Sequence, residues 1–480
     1  MSLSDRLTAG CVTLAPRDAD FVYQEHDGHP GHLFAVYLFD ATGRPDVEFT
    51  HEQARKWTAE RLGHHRVFTH AVGRVPLGLE HPYWQPVPVE LDEHVHVTAV
   101  EGSGWAALHD HVDRLVSARM DLTRPPWELH FLTGLEGLKG LPDRVTAVVF
   151  KAHHSAGDGL AVLELARRLF TADARPATPV TPAPLLPARM LVDSLCSLPG
   201  QLLRFARAVP GNRAAAGAVD EARDAGLWEA EAEQPSTRFN GKVSGRAVSA
   251  STTFSTSRIR RIRAAVPDAT VNDVLLAVVG AGLADYLADT GTPHRGSLVA
   301  MVPRSMRQVE EEASANRLAI MSVDMHTGVP DPVARLTRIA GSSRSEKVRT
   351  AHPVVCRQAA AVQTAPPPLM RLIAYGHKNN DRDLNRPRYQ HTMVSNMPFT
   401  VDGLTLDGAP AVAVIGGQPP VDGDGLRHFV VAATGDRLTL TVVADAASMP
   451  DPGRYLDLIR MRLDELETAA TTTFAGAQEA

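Results

Sequence analysis

The sequence predicts a mixed α/β (α+β) protein of two lobes, each a mixed sheet with helices, and three observations carry that prediction. The chain has 480 residues, more than one ordinary domain and enough for two units of roughly 150–250 residues each. Short β-branched runs and amphipathic helical stretches occur in both halves, as layered sheet-and-helix packing requires. A seam from Arg175 to about Pro235 separates them and opens on the proline-rich stretch Arg175-Pro-Ala-Thr-Pro-Val-Thr-Pro-Ala-Pro-Leu-Leu-Pro187, which cannot hold a regular helix. The expected organisation is an N-terminal lobe over 1–174, a connection over 175–237 and a C-terminal lobe over 238–480.

Individual elements follow from periodicity. Arg144-Val-Thr-Ala-Val-Val-Phe150 is a β-branched run and predicts a buried strand. Leu160, Leu163, Ala166, Leu169 and Phe170 recur at helical spacing just after it. Within the seam, Met190 to about Val209 predicts a helix with Leu191, Leu195, Leu198, Leu202 and Phe205 on one face. In the second half, Ala269-Thr-Val-Asn-Asp-Val274 opens an apolar helix to about Leu287, with Thr270 and Asn272 as candidate caps. Gly296 to Val302 predicts a strand stopped by Pro303, and Leu438 to Val443 a further strand.

Composition excludes several functions. A net charge of −6 speaks against a general nucleic-acid binder, which needs a concentrated basic face. Arginine clusters at Arg258, Arg260, Arg261 and Arg263 and at Arg382, Arg386 and Arg388 read as solvated surface. The three cysteines, Cys11, Cys196 and Cys356, form no CxxC pair and fit a reducing compartment. Met1 to Asp20 lacks the apolar core of a signal peptide. The longest apolar run, Val274 to Leu283, falls short of the ~20 residues that span a bilayer. A cytoplasmic location is expected, with peripheral contact to a membrane or lipid inclusion left open. No Gly-x-Ser-x-Gly elbow, His-Glu-x-x-His or Walker loop occurs. The triplets His26/His29/His32 and His64/His65/His70 lack the accompanying ligands of a metal site, so no metal is expected.

The chemistry concentrates in Val148-Val-Phe-Lys-Ala-His-His-Ser-Ala-Gly-Asp-Gly159. A buried strand ends in two adjacent histidines, whose side chains point to opposite sides. One can therefore face a cleft while its neighbour packs or makes hydrogen bonds. Gly157 and Gly159 permit a sharp turn that brings Asp158 back toward the histidines. A histidine with a near-neutral pKa suits removal of a proton from a hydroxyl, amine or thiol.

The pattern His-His-x-x-x-Asp-Gly resembles the signature of the CoA-dependent acyltransferase superfamily, and further segments resemble its bacterial wax ester synthase/diacylglycerol acyltransferase branch. These are Leu14-Ala-Pro-Arg-Asp-Ala-Asp-Phe21, Pro30-Gly-His32, Asp121-Leu-Thr-Arg-Pro-Pro-Trp-Glu-Leu129, Val271-Asn-Asp-Val274, Val302-Pro-Arg-Ser-Met-Arg307, Asn316-Arg317, Val394-Ser-Asn396 and Gly423-Asp-Gly-Leu426, with a late Asp445. The resemblance implies two chloramphenicol-acetyltransferase-like lobes forming a pseudo-dimer with a tunnel between them. It also implies transfer of an acyl group from acyl-CoA to a hydroxyl acceptor such as a fatty alcohol, a diacylglycerol or a specialised metabolite. Acyl-CoA is then a co-substrate, and no bound cofactor is implied. Carried over, the catalytic segment is His153, His154, Asp158 and Gly159, with His154 as base and Asp158 organising the site through an arginine such as Arg304 or Arg307. Gly157, His32, Trp127, Asn272, Arg304, Ser395 and Asn396 are the expected substrate-binding positions, although Trp127 also reads as core and Asn272 as a helix cap. Pro126 and Ala432-Ala-Thr-Gly435 depart from the branch pattern, so acceptor and chain length stay open. Two other readings remain: a condensation-type enzyme fed by a carrier protein, and a non-catalytic protein that binds an acyl ligand.

Overall fold

A computed structural model describes residues 11–171, 174–178, 187–229, 232–306, 314–381, 383–432 and 435–478. Arg307, Arg382, Ala433, Thr434 and positions 179–186 of the proline-rich stretch lie outside the described residues.

Two six-stranded sheets face one another. The first runs, in spatial order, Thr405–Leu406, Ala409–Gly417, His32–Asp40, Arg144–His153, Trp127–Glu136 and Val95–Ala99. The second runs Leu318–Asp324, Val299–Ser305, Thr392–Met397, Leu426–Ala432, Arg437–Asp445 and Ala247–Ser255. The strand Arg144–His153 is buried from Val145 onward, as a β-branched run covered on both faces should be. The helix after it, Gly159–Thr171, buries Val162, Leu163, Leu165, Ala166, Leu169 and Phe170, the stripe its 3.6 period dictates.

Each lobe has its own core. Tyr37, Phe39, Phe68, Trp127, Phe131 and Phe150 anchor the first, and the helix Val271–Asp289 runs through the second, packed on Pro452–Gln478. That helix is long and apolar enough to cross a membrane by length and composition. It is a core helix here, with thirteen buried residues named from Asp273 to Leu287. A third cluster joins the sheets: Phe34, Val36, Leu38 and Val149 from one meet Ala247, Met393, Phe429 and Val443 from the other.

Two features depart from the expected layout. The strand Ala409–Gly417 comes from the C-terminal half yet pairs antiparallel with His32–Asp40 of the first sheet, so the lobes are strapped together by backbone hydrogen bonds. The strand expected to stop at Pro303 instead runs Val299–Ser305. Its outer neighbour pairs along the whole length, Ser305 with Leu318 through Val299 with Asp324. Its inner neighbour, Thr392–Met397, pairs only at Ala300 and Met301. Beyond Met301 these two strands diverge, so a proline there breaks no ladder on that side. The divergence is what opens the cavity described next.

The seam helix is one element, Pro187–Asp224. Its Ser194 and Gln201 are buried, while Val192, Leu195, Leu202 and Leu203 stand exposed. The expected apolar face therefore covers no core at Leu195 and Leu202. Ser197 and Gln201 instead turn inward onto Glu80. The basic clusters are engaged locally: Arg258 pairs with Asp464 and Glu467, and Arg388 donates to the carbonyls of Asn240, Asp381 and Asp383.

Candidate active site

The strand Arg144–His153 delivers both histidines to the boundary between the lobes. A 3-10 turn, His154–Ala156, follows. Gly157 then adopts φ 150°, where a Cβ would meet Ala161 Cβ at 2.4 Å, so the turn requires glycine for both conformation and space. At Gly159 a Cβ would lie 2.9 Å from Met397 Sδ, the movable end of a flexible side chain.

Asp158 is fully buried and does two jobs. Its Oδ1 accepts from Ala161 N at 3.0 Å, capping the helix that follows, and its Oδ2 accepts from Arg317 N at 3.2 Å. Arg304 is not its partner, because that guanidinium donates to Lys347 O and Thr350 Oγ1 at 2.8 and 2.9 Å. The expected pairing through Arg304 is thus corrected: the strand that carries Arg304 points it at the helix Pro332–Ala351.

His153 closes the strand and His154 opens the 3-10 turn, and their side chains take different surroundings. His153 is fully buried. Ser155 N donates to its Nδ1 at 3.2 Å, which places its proton on Nε2, 3.2 Å from Glu25 Oε2. Glu25 Oε2 also accepts from Gly31 N at 2.6 Å, and its Oε1 accepts from Arg119 Nε at 3.0 Å. Burial pushes the Glu25 carboxyl up, but its interaction with His153 and the hydrogen bonds from Arg119 and Gly31 outweigh it and hold Glu25 below the usual carboxylate range. No side chain fits at Gly31, where a Cβ would come within 2.6 Å of both Glu25 Oε2 and His153 Nε2.

His154 has the opposite environment. Its ring stacks on Phe21 with centroids 3.8 Å apart and planes 9° from parallel. Its backbone N donates to Gly31 O at 2.7 Å, and its carbonyl accepts from Asn316 Nδ2 at 2.9 Å. Nδ1 is buried and makes no hydrogen bond of ordinary geometry among the described residues. The residue keeps 8% exposure and lies on the wall of a cavity of about 400 Å³. Burial lowers its pKa to about 4, against weaker support for the charged form from its own carbonyl and Asp158. The imidazole is therefore neutral and able to accept a proton.

Most of the cavity wall is apolar, with Leu33, Leu163, Met321, Met393, Ile415 and Phe429 prominent. Besides His154, polar groups are few: Asn272, Ser305, Ser395, Asn396 and Gln418, with Arg304 and Lys347 also on the lining. Of the expected positions, His154, Gly159, Asn272, Arg304, Ser395 and Asn396 meet on this one wall. Asn272 is not the helix cap. Thr270 fills that role in a reciprocal box with Asp273, leaving Asn272 Oδ1 buried and without a hydrogen-bond partner among the described residues.

His32 and Trp127 lie elsewhere, which corrects their expected place on the substrate. His32 sits opposite His153 in the sheet, with Nε2 3.0 Å from Val116 O. Trp127 is fully buried, donates to Phe68 O at 3.2 Å and stacks on His94. Sequence reading missed Asp18, Phe21 and Glu25 as site residues. Asp18 and Phe21 fall inside the fragment Leu14–Phe21 that carried the resemblance, while Glu25 is a lone acid with no local signal.

Two sheet-and-helix lobes, strapped by a shared strand and with a cavity between them, make a chloramphenicol-acetyltransferase-like fold. The profile of the wax ester synthase/diacylglycerol acyltransferase catalytic domain matches residues 14–275, and that of the family's C-terminal domain matches residues 314–467. A Mycobacterium tuberculosis protein named "probable diacylglycerol O-acyltransferase" is 28% identical over 475 residues, covering 95% of this chain and 99% of its own. Among solved structures, the wax ester synthase/diacylglycerol acyltransferase of Marinobacter aquaeolei superposes with a TM-score of 0.65 at 22% identity, covering 96% of this chain and 100% of its own. The starter condensation domain of rhizomide synthetase, solved with C8-CoA, superposes at 0.53 with 14% identity, covering 98% and 97%; it shares the fold. The chain belongs to the wax ester synthase/diacylglycerol acyltransferase family and is an acyltransferase.

Proposed function

We propose that the protein transfers an acyl group from acyl-CoA to a hydroxyl acceptor, with His154 as general base. The observation that carries this reading is a neutral imidazole, closed on one face by Phe21, on the wall of an otherwise mainly apolar cavity. With Nδ1 buried, Nε2 takes the acceptor's hydroxyl proton as the oxygen attacks the thioester carbonyl. The oxyanion that forms is met by donors on the wall, of which the Asn272 amide and the Ser395 hydroxyl are the candidates. Collapse breaks the C–S bond, and the CoA thiolate takes the proton back from the imidazolium, so that ester and free thiol leave with a neutral base. The apolar wall suits an acyl chain or a lipid alcohol, and Arg304 and Lys347 supply positive charge for the donor's phosphates. Among acceptors, a diacylglycerol or fatty alcohol fits this lining better than a polar metabolite. Release of thiol from acyl-CoAs of graded length, each with diacylglycerol, a fatty alcohol or a hydroxylated polar compound, tests this. Turnover only with a carrier-bound acyl group would favour a condensation-type enzyme, and no turnover with either donor would favour a binding protein.

Contact with a lipid surface belongs to the same reading. A depression of about 860 Å³ is lined by Leu77, Leu372 and Tyr375 together with Arg74, Arg371 and Lys378, and by two acids, Glu25 and Glu80, which bond to His153 and to Ser197 and Gln201. Leu77 is 75% exposed, and Leu372 and Tyr375 are each 66% exposed. Exposed apolar side chains ringed by cations on a chain of net charge −6 suit an anionic lipid surface. Co-sedimentation with phosphatidylglycerol vesicles but not phosphatidylcholine vesicles is expected, and Leu372→Glu should abolish it.

A further inference from the structure

The base is held from across the lobe boundary by two residues outside the histidine motif. Asp18 lies in the helix Pro16–Gln24 of the N-terminal half and is buried. Its Oδ1 accepts from Ser314 Oγ at 2.8 Å, Asn316 N at 3.1 Å and Asn316 Nδ2 at 2.8 Å, and its Oδ2 accepts from Ala315 N at 3.1 Å. Residues 314–316 belong to the C-terminal half, so one carboxylate gathers a turn of the other lobe.

The Asn316 amide then has a second use. Its Nδ2 donates to Asp18 Oδ1 and also to the backbone carbonyl of His154 at 2.9 Å, which consumes both amide protons. The orientation of this amide follows from its surroundings. Turned over, its oxygen would face a carboxylate and a carbonyl, two acceptors with no proton to share. The Oδ1 that results is buried and makes no hydrogen bond of ordinary geometry among the described residues, although the Asn316 side chain still weakly supports the charged form of the His154 ring. A buried acceptor without a well-formed hydrogen bond is costly, so these two bonds to nitrogen must outweigh that cost.

We propose that Asp18 and Asn316 form a positioning clasp that fixes the His154 main chain at its carbonyl and thereby aims the imidazole for proton transfer. The inference rests on His154 being the base. The opposite side of the same residue is fixed by Gly31 O, 2.7 Å from His154 N. With both backbone groups tied and the ring stacked on Phe21, the imidazole has little freedom, and small displacements of a general base are expensive in rate. The clasp also couples the base to lobe docking, because its amide comes from one lobe and its histidine from the other.

Three variants test it: Asn316→Asp, Asp18→Asn, and the pair together. In the pair, an amide at 18 can donate to a carboxylate at 316, restoring the bond between the lobes but not the donor to the His154 carbonyl. Thiol release is measured with thermal unfolding, and hydrogen–deuterium exchange is followed in peptides covering 150–158. Asn316→Asp should lower kcat on the order of tenfold or more with KM changed by less than about twofold, and should speed exchange in 150–158. The pair should regain Tm while kcat stays low. A pair that regains kcat together with Tm, or single variants that lose kcat only in proportion to their folded fraction, would overturn the clasp. If the natural protein releases no thiol from any acyl-CoA, the functional reading fails by itself. Exchange then decides: faster exchange confined to 150–158 upholds the clasp, and unchanged exchange removes it. Should Asn316→Asp not fold, Asn316→Ala removes the amide without adding charge.

Discussion

His154 and His153 differ by one position and by almost everything around them. Burial keeps the His154 ring neutral with a pKa near 4, so under the proposed mechanism the protonated form, which could not act as base, appears only in acid. Activity should therefore hold as pH falls through 6.5, the ordinary histidine value, and decline only toward about 4. An acid limb of kcat/KM centred near 6.5 would contradict this environment. Glu25 makes a complementary prediction in stability. Its folded pKa is depressed by His153, Arg119 and Gly31, so its contribution is present above the ordinary glutamate value of about 4.5 and is lost as pH falls through the folded value. Glu25→Gln should destabilise most at neutral pH, with a gap to the natural protein that begins to narrow as pH falls below about 4.5. Urea unfolding at pH 7, 5 and 4 reads the gap, and a constant difference would rule out the carboxylate charge as its source.

At the scale of elements, what was legible in the sequence is what local periodicity encodes. The strand Arg144–His153, the helix Gly159–Thr171 and the Thr270 cap all follow from the spacing of apolar and capping residues. The divergence of His153 and His154 was expected from strand alternation, but it arises because the strand ends at His153 and a 3-10 turn begins at His154. What was not legible depends on pairing between distant segments. Nothing local marks Ala409–Gly417 as a strand of the other lobe's sheet, and nothing near Pro303 shows that its inner neighbour peels away after Met301. For the same reason nothing local shows that His32 turns to Val116 rather than to substrate, whereas Trp127 takes the core place that its apolar ring also indicates. The two motif glycines should separate in experiment. Gly157→Ala forces an alanine to φ 150° against Ala161 and should cost about 1–3 kcal/mol of stability along with activity. Gly159→Ala meets only the flexible end of Met397 and should cost under about 1 kcal/mol while shifting preference toward shorter acyl chains. Trp127→Ala should cost about 3–5 kcal/mol as a core cavity and leave KM unchanged in whatever folds.

For the whole molecule, the strapped pair of sheets and the cavity at their splayed boundary explain why one chain suffices for the site. Both lobes line the cavity: His154 and Leu163 come from one half, Asn272, Ser395 and Lys347 from the other. Lys347→Ala removes one cation from the wall and should raise KM for acyl-CoA by about 3–10-fold, near 1 kcal/mol, with kcat retained. An unchanged KM would move the donor's phosphates elsewhere on the molecule. The central claim is that His154 is the base of acyl transfer, and the steady-state rate of thiol release from acyl-CoA by His154→Ala, set beside the natural protein with the same hydroxyl acceptor, tests it most directly. The account predicts a fall in kcat of roughly 10²–10⁴-fold with unfolding temperature and KM for acyl-CoA little changed. A variant that folds and turns over at the natural rate would contradict it.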